Sequence, residues 1–250
     1  GSRTTASRMN LALRPLGEVE YDGQTLPVVD PTGRWLAVQM GAPPTPEEVL
    51  GLSARVPSDC GVALYRVPTV AEMGANPRAA LERVEVAGDG SGLVLGRGPT
   101  LEGVLVEQTQ PGGGRWVGQL DFESHRVRWL IQGEDVNAQA VMAPDGSLLW
   151  CRRTGERGAF ALMARASGGE DRAVELPVPG SALQPMLAPD GQHGGVLVSG
   201  GSGLTLVLLE RDERGAWRGA ARATRGRRWR RWSRCRAPGL RAAPACWKAA

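Results

Sequence analysis

The chain has 250 residues, of which 42% are hydrophobic and 22% charged, with 35 glycines and 18 prolines. These values allow one large or two small globular domains and exclude a disulfide-stapled mini-protein, a collagen and a fully disordered chain. No run of 18 apolar residues occurs, so the sequence predicts no membrane-spanning helix.

The first third of the chain combines strand patterns with two short helical patterns. After an N-terminal segment, 1–24, the apolar stretch 28–38 is interrupted by Asp30-Pro31-Thr32-Gly33, which predicts strand, tight turn, strand. Residues 45–50 begin with Thr-Pro-Glu-Glu, an N-cap followed by proline and a capping-box glutamate, and predict a helical turn or two. A second such turn is predicted at 76–82.

The remainder of the body alternates two kinds of predicted hairpin. Inner hairpins, apolar on both sides of a glycine-closed turn, are predicted at 84–95, 141–150 and 185–198, in addition to 28–38. Outer hairpins alternate charged and apolar residues. They pair 62–67 with 81–84, 115–121 with 126–130, 160–165 with 172–176, and 204–209 with the chain after a turn at 211–215.

The closing glycines of the inner hairpins give the repeat its spacing. They fall at 33, 90, 146 and 191, which are 57, 56 and 45 residues apart. In such a turn proline presets φ, Asp or Thr accepts a local backbone hydrogen bond, and glycine adopts a positive φ. The copy around Gly90 lacks the proline and is the weakest.

Residues 221–250 differ from the rest in charge and composition. They hold nine arginines and Lys248 without an acidic residue, which leaves 20 basic and 26 acidic side chains, a net charge of −6, in the first 220 residues. With no helix or strand periodicity, this tail is interpreted as a disordered or non-native end, such as a frame-shifted terminus. One alternative is a nucleic-acid-binding arm in which arginines contact phosphates and Trp229 and Trp232 stack on bases, and a second is a membrane-surface role for the same Arg/Trp run.

Cysteine and histidine are too sparse to build a metal or redox site. The body contains only Cys60 and Cys151, and His125 and His193 are the only histidines. No ligand set with usable spacing exists, so the sequence predicts neither a metal nor a cofactor. The compartment, cytoplasmic or exported, and the oligomeric state stay open.

The inner turns resemble those of WD40-like or TolB-like β-propeller repeats, whose hairpin carries a Pro-Asp-Gly signature. Ala143-Pro144-Asp145-Gly146 and Ala188-Pro189-Asp190-Gly191 match the signature, and Asp30-Pro31-Thr32-Gly33 matches with Thr in place of Asp. The resemblance covers about 25–218 and implies an all-β propeller of four-stranded antiparallel blades. The chain supplies about four blades, whereas such propellers usually close with six to eight, so the expected propeller is incomplete or fragmentary. A β-sandwich is the structural alternative.

The sequence assigns no catalytic residue. A Gly-x-Ser-x-Gly elbow is absent, and the glycine runs at 112–114 and 200–203 have no following lysine. The carboxylate pairs Asp121 with Glu123 and Glu134 with Asp135 are interpreted as turn residues rather than a glycosidase pair. The body tryptophans are interpreted as packing between blades, with a stacking platform for a sugar or base as the alternative.

The resemblance therefore implies a non-catalytic scaffold that binds a protein or peptide partner through its blade-connecting loops. The alternative is the propeller portion of a larger hydrolase, similar to prolyl-oligopeptidase-like peptidases, whose catalytic domain is absent from this chain. Likeness of fold alone does not choose between them.

Overall fold

The computed structural model describes residues 16, 17, 19, 26–41, 60–76, 78–87, 90–100, 102–154, 158–201 and 203–223. These residues form four four-stranded antiparallel sheets and the short helix α1 (Val70–Ala75). Each sheet follows chain order, and we call the sheets blades 1 to 4.

Blade 1 consists of β1 (Val28–Val29), β2 (Trp35–Gly41), β3 (Cys60–Arg66) and β4 (Glu82–Val84). Blade 2 consists of β5 (Leu93–Pro99), β6 (Gly103–Thr109), β7 (Arg115–Asp121) and β8 (Val127–Ile131). Blade 3 consists of β9 (Asn137–Met142), β10 (Leu148–Thr154), β11 (Ala159–Arg165) and β12 (Asp171–Ala173). Blade 4 consists of β13 (Ser181–Leu187), β14 (His193–Gly200), β15 (Gly203–Arg211) and β16 (Trp217–Ala223).

The blades stand side by side with their first strands together. β1 contacts β5, β5 contacts β9, and β9 contacts β13, so the first strands follow one another along the inside of an arc. Within the described residues the four sheets do not close into a ring. The predicted all-β incomplete propeller is confirmed, and the β-sandwich alternative is wrong.

Three of the four predicted inner turns have the expected geometry. Gly33, Gly146 and Gly191 each donate their backbone N–H to the carbonyl three residues earlier, across 2.9, 2.9 and 3.0 Å. Their φ values are 70°, 82° and 64°, a region that L side chains adopt at a cost. The local turn chemistry is therefore the same in blades 1, 3 and 4.

The predicted inner hairpin at 84–95 is wrong. Val84 ends β4 in blade 1 and Leu93 begins β5 in blade 2, so this segment connects two blades. The Gly90 carbonyl accepts a hydrogen bond from Val62 N across 3.1 Å, and a Cβ on Gly90 would lie 2.4 Å from Val62 O. Gly90 is needed for this close approach. The sequence around it resembles that of an inner turn, although the glycine serves a different purpose here.

The inner turn of blade 2 lies instead between β5 and β6. There Thr100 replaces the turn aspartate, and its Oγ1 accepts a hydrogen bond from Gly103 N across 2.9 Å. The second strands of blades 2, 3 and 4 begin at Gly103, Leu148 and His193, two intervals of 45 residues. The repeat is thus regular from blade 2 to blade 4 once Gly90 is removed from it.

All four predicted outer hairpins are present, as β3–β4, β7–β8, β11–β12 and β15–β16. β16 continues to Ala223, and the rest of the predicted tail lies outside the described residues. The helix predicted at 76–82 is wrong, because Asn76 caps the end of α1 and Glu82 begins β4. Thr69 and Glu72 form the capping box that starts this helix, and the turn predicted at 45–50 lies outside the described residues.

Apolar side chains fill each space between neighbouring blades. Trp35 packs between blades 1 and 2, Trp150 between blades 2 and 3, and Trp217 between blades 3 and 4, with exposed fractions of 8%, 0% and 7%. The predicted packing role is confirmed for these three tryptophans. Burial on this scale supplies the main stabilisation of the stacked sheets.

Buried polar side chains also join the blades. Gln39 donates from Nε2 to Gly61 O and Leu93 O across 2.9 and 3.1 Å, and its Oε1 accepts from Leu95 N across 2.6 Å. Glu107, like Gln39 the fifth residue of its strand, accepts from Gln139 N of blade 3 across 2.5 Å. These bonds set the register between adjacent blades.

Candidate functional site at the junction of blades 1 and 2

An open cleft of about 340 Å³ lies where the connection between blades 1 and 2 meets the outer hairpin of blade 2. Its walls include Ala87 and Ser91 from the connection, and Gln108 on β6. Arg126 in the outer turn and Trp129 on β8 complete it. The cleft is thus formed by a blade-connecting loop, the kind of element that the sequence predicts to bind a partner.

The loop that forms one wall of the cleft is hydrogen-bonded to the blades on both of its sides. Gly92 N donates to Cys60 O of β3 across 2.8 Å, which ties the loop to blade 1. Ala87 N donates to the carbonyl of His125 across 3.0 Å, which ties it to the outer turn of blade 2. Because both ends are hydrogen-bonded to strands or turns, the cleft exists before any ligand arrives.

Trp129 is positioned by a glycine and a second tryptophan. Its ring lies over Gly118 of β7, where an added Cβ would come within 2.8 Å of the ring. Trp116 meets it edge to face, with ring centroids 5.5 Å apart, and donates from Nε1 to Gly133 O across 2.9 Å. Trp129 itself remains half-buried, so part of its ring is available to a ligand.

The cleft favours a ligand that carries a negative charge beside apolar groups. Arg126 is exposed, and its guanidinium has no hydrogen-bond or ion-pair partner among the described residues. Among the described residues that line the cleft none is acidic, whereas Val127 and Trp129 give it apolar walls. An arginine of this kind binds carboxylate in two-point geometry, and a tryptophan ring packs against aliphatic or planar groups.

Of the carboxylates singled out in the sequence, Asp121 ends β7 and Glu123 lies in the turn that follows it, while Glu134 and Asp135 lie between β8 and β9. Ser124 N donates to Asp121 Oδ1 across 2.6 Å, and this bond is the main cause that lowers the pKa of Asp121. Glu123 and Glu134 are exposed, and Asp135 lies 3.6 Å from the Arg152 guanidinium. None of these four carboxylates is among the described residues that line the cleft at the blade 1–2 junction.

The two histidines have structural partners in turns. The ring of His125 meets Trp35 edge to face at 5.5 Å between centroids. The Nδ1 atom of His193 lies 2.7 Å from Asp190 Oδ2, within the turn that closes the inner hairpin of blade 4. The described residues contain no group of three or more His, Cys, Asp or Glu side chains suited to a metal ion.

None of the helices in the described part of the chain is long and apolar enough to span a bilayer. Cys60 and Cys151 are both buried, and neither forms a disulfide bond within the described residues. The glycine runs at 112–114 and 200–201 adjoin strand ends, as turn residues do.

Four meandering sheets joined through their first strands define the chain as part of a β-propeller. No family model matches it, and no curated protein matches its sequence. Solved structures of similar fold include a puromycin-hydrolysing peptidase from Mycobacterium tuberculosis, 19% identical, with a TM-score of 0.51 over 78% of this chain and 28% of that one. Prolyl oligopeptidase B from Galerina marginata is 9% identical, with a TM-score of 0.52 over 76% of this chain and 25% of that one.

TolB from Acinetobacter baumannii is also similar, with 16% identity and a TM-score of 0.48 over 77% of this chain and 44% of that one. The chain thus spans less than half the length of each of these three proteins. At such identities the likeness is one of fold. It confirms the propeller architecture that the repeated turns predict.

Sequence reasoning did not find the cleft. It placed Trp129 on an outer strand and Arg126 beside a turn, but it interpreted residues 84–95 as a hairpin of its own. The one sequence signal for this position of Trp129 is Gly118. It pairs with Trp129 in the β7–β8 register, and because it has no side chain the ring can lie over the strand.

Proposed function

We propose that this chain is a non-catalytic propeller scaffold that binds a protein or peptide partner through its blade-connecting loops. The observation that carries the proposal is the cleft at the blade 1–2 junction, where Arg126 is unpaired among the described residues and Trp129 is half-exposed. The chemistry of the cleft favours a peptide segment with a carboxylate next to an apolar side chain.

The test uses the 250-residue chain and an immobilised library of random short peptides with free C-terminal carboxylates. Arg126→Ala and Trp129→Ala are each expected to weaken the selected peptides by about tenfold. Arg172→Ala is the matched control, because Arg172 is an exposed arginine on β12 without a side-chain partner in the described part of the chain. Peptides that bind equally well to all three variants would refute the cleft as the contact site.

A second candidate function is supported by the solved peptidases. The fold likeness covers 78% and 76% of this chain but only 28% and 25% of the two peptidases, which is the relation expected of a propeller taken from a larger hydrolase. The discriminating observation is the uninterrupted gene sequence on both sides of this reading frame. A neighbouring α/β-hydrolase segment would favour this candidate, and further blades alone would favour the scaffold.

A further inference from the structure

Blade 4 has two apolar faces, and only one of them is covered by a neighbouring blade. Val196, Val198, Val207 and Leu209 point towards blade 3 and are at most 1% exposed. Strand alternation places the residues between them on the opposite face. The register aligns Leu183, Leu197 and Leu206 across β13, β14 and β15 on that face, with Leu204, Leu208 and Met186 beside them.

The second face has the composition of an interface between blades. In blade 2 the corresponding face includes Leu105, Val117 and Ile131, which are 1%, 0% and 2% exposed because blade 3 covers them. In blade 4, by contrast, Leu204 is 60% and Met186 is 43% exposed, and the other leucines are half-buried. Polar residues of this face, among them His193, Ser199, Glu210 and its pairing partner Arg218, lie at the strand ends. A contiguous apolar patch of this kind marks an interaction surface.

We propose that this leucine face, defined by residues 183, 186, 197, 204, 206 and 208, is a self-association surface on which a second copy of this chain packs the same face. A head-to-tail arrangement requires an open receiving face on blade 1. Val38 and Ala63 lie at the centre of that face and are 0% and 2% exposed, so its centre is already covered. The leucine face, being apolar throughout its centre, is complementary to itself, as a two-fold interface requires.

The expected strength of the association follows from the size of the face. Four strands spaced about 4.8 Å apart, with about seven residues each at 3.4 Å per residue, present about 450 Å². Two copies then bury about 900 Å² in total, slightly less than the ~1,200 Å² at which stable, specific interfaces begin. The dimer is therefore reversible, with sheets packed face to face.

Sedimentation of the 250-residue chain over a concentration series tests the proposal. The unmodified chain shifts from monomer to dimer as its concentration rises. Leu204→Arg and Leu206→Asp each move the midpoint about tenfold or more towards higher concentration, because each places a charge on the apolar surface that the second copy buries. Val70→Asp, at a valine of α1 that is 82% exposed, leaves the midpoint unchanged.

Folding is checked independently by circular dichroism and thermal unfolding. Since Leu204 is already mostly exposed, Leu204→Arg retains the fold even where Leu206→Asp does not. A chain that stays monomeric at every concentration overturns the proposal, and so does a dimer that is insensitive to Leu204→Arg. Dimerisation that appears only after deletion of 224–250 also overturns it, because the chain's own C-terminal residues would then cover the face.

Discussion

Arg211 of β15 in blade 4 donates from Nη1 to Oδ2 of Asp145, in the Pro-Asp-Gly turn of blade 3, across 2.6 Å. The same guanidinium reaches Gly215 O across 3.3 Å, and its Cζ lies 5.6 Å from the centroid of the Trp217 ring. One arginine therefore connects the turn of one blade to the outer hairpin of the next. The turn motif that identifies the repeat also contributes to holding the repeats together.

The Asp145–Arg211 pair predicts a dependence of stability on pH. Burial raises the pKa of Asp145, but hydrogen bonds from Ser147 and Arg211 together outweigh it and lower the pKa to about 2. Because the folded pKa lies below the unfolded one, the stabilisation is present above about pH 4 and is lost as the pH falls towards 2. The side chain is 49% exposed, so solvent screening reduces the expected gain to about 1 kcal/mol.

Asp145→Asn is therefore expected to lower the free energy of unfolding in urea by about 1 kcal/mol at pH 7 and by much less near pH 2. Glu134→Gln, which removes an exposed carboxylate without a side-chain partner in the described residues, serves as the control. If Asp145→Asn lowers the free energy of unfolding by the same amount at both pH values, the charge of Asp145 does not contribute to stability.

The buried carboxamide of Gln39 predicts a large loss on substitution by an apolar residue. Gln39 is 0% exposed, and three of its hydrogen bonds satisfy Gly61 O, Leu93 O and Leu95 N. Gln39→Leu keeps the volume but leaves these backbone groups without a partner, so the free energy of unfolding falls by about 2–4 kcal/mol. Gln132→Leu, at an exposed glutamine, changes it by less than about 0.5 kcal/mol. Equal effects of the two changes would show that the inter-blade bonds contribute nothing.

Glu107 and Arg115 form a buried ion pair, with Arg115 Nη1 3.3 Å from Glu107 Oε2. Burial raises the pKa of Glu107, while Arg115 and the amides of Gln139 and Ala140 act in the opposite direction. Glu107→Gln retains an acceptor for Gln139 N but removes the carboxylate charge beside the buried Arg115 guanidinium, at a cost of about 3 kcal/mol. Glu107→Gln combined with Arg115→Met recovers most of that loss.

A double-mutant cycle from urea unfolding measures this coupling. Its singles are Glu107→Gln and Arg115→Met. If the free energies of the two singles simply add in the double variant, the two side chains are not energetically coupled, and the ion pair is not what holds this part of blade 2.

Gly103 predicts a steric effect on the β6–β7 pairing. A Cβ at Gly103 would lie 2.0 Å from Leu120 O, a backbone atom that cannot move without opening the sheet. Gly103→Ala is expected to reduce the free energy of unfolding by at least about 2 kcal/mol. Gly112→Ala, where nothing lies within 4 Å and φ is not positive, is the matched control and leaves stability within about 0.5 kcal/mol. Thermal unfolding of the two variants makes the comparison, and a tolerated Gly103→Ala would contradict the packing described for this strand pair.

The local turns were predictable because their chemistry is contained in four consecutive residues. Pro31, Pro144 and Pro189 precede glycines whose positive φ closes the hairpin, and the alternating charged segments 115–121 and 160–165 are the outer strands expected. Gly90 also has a positive φ, 70°, but for a different reason. Its missing side chain lets the connection between blades 1 and 2 approach Val62 O. A sequence pattern does not distinguish these two uses of glycine.

The candidate site was less predictable than the fold. Ser91 and Trp129 are 38 positions apart. They share a cleft only because the connection between blades 1 and 2 lies against the outer hairpin of blade 2. The sequence alone determined the strands, three of the four inner turns and the all-β class, since short-range sterics and alternation govern them. Tertiary structure decided which face of blade 4 stays open, where Arg126 meets an apolar wall and which polar groups bridge the blades, because those outcomes depend on contacts between residues far apart in the chain.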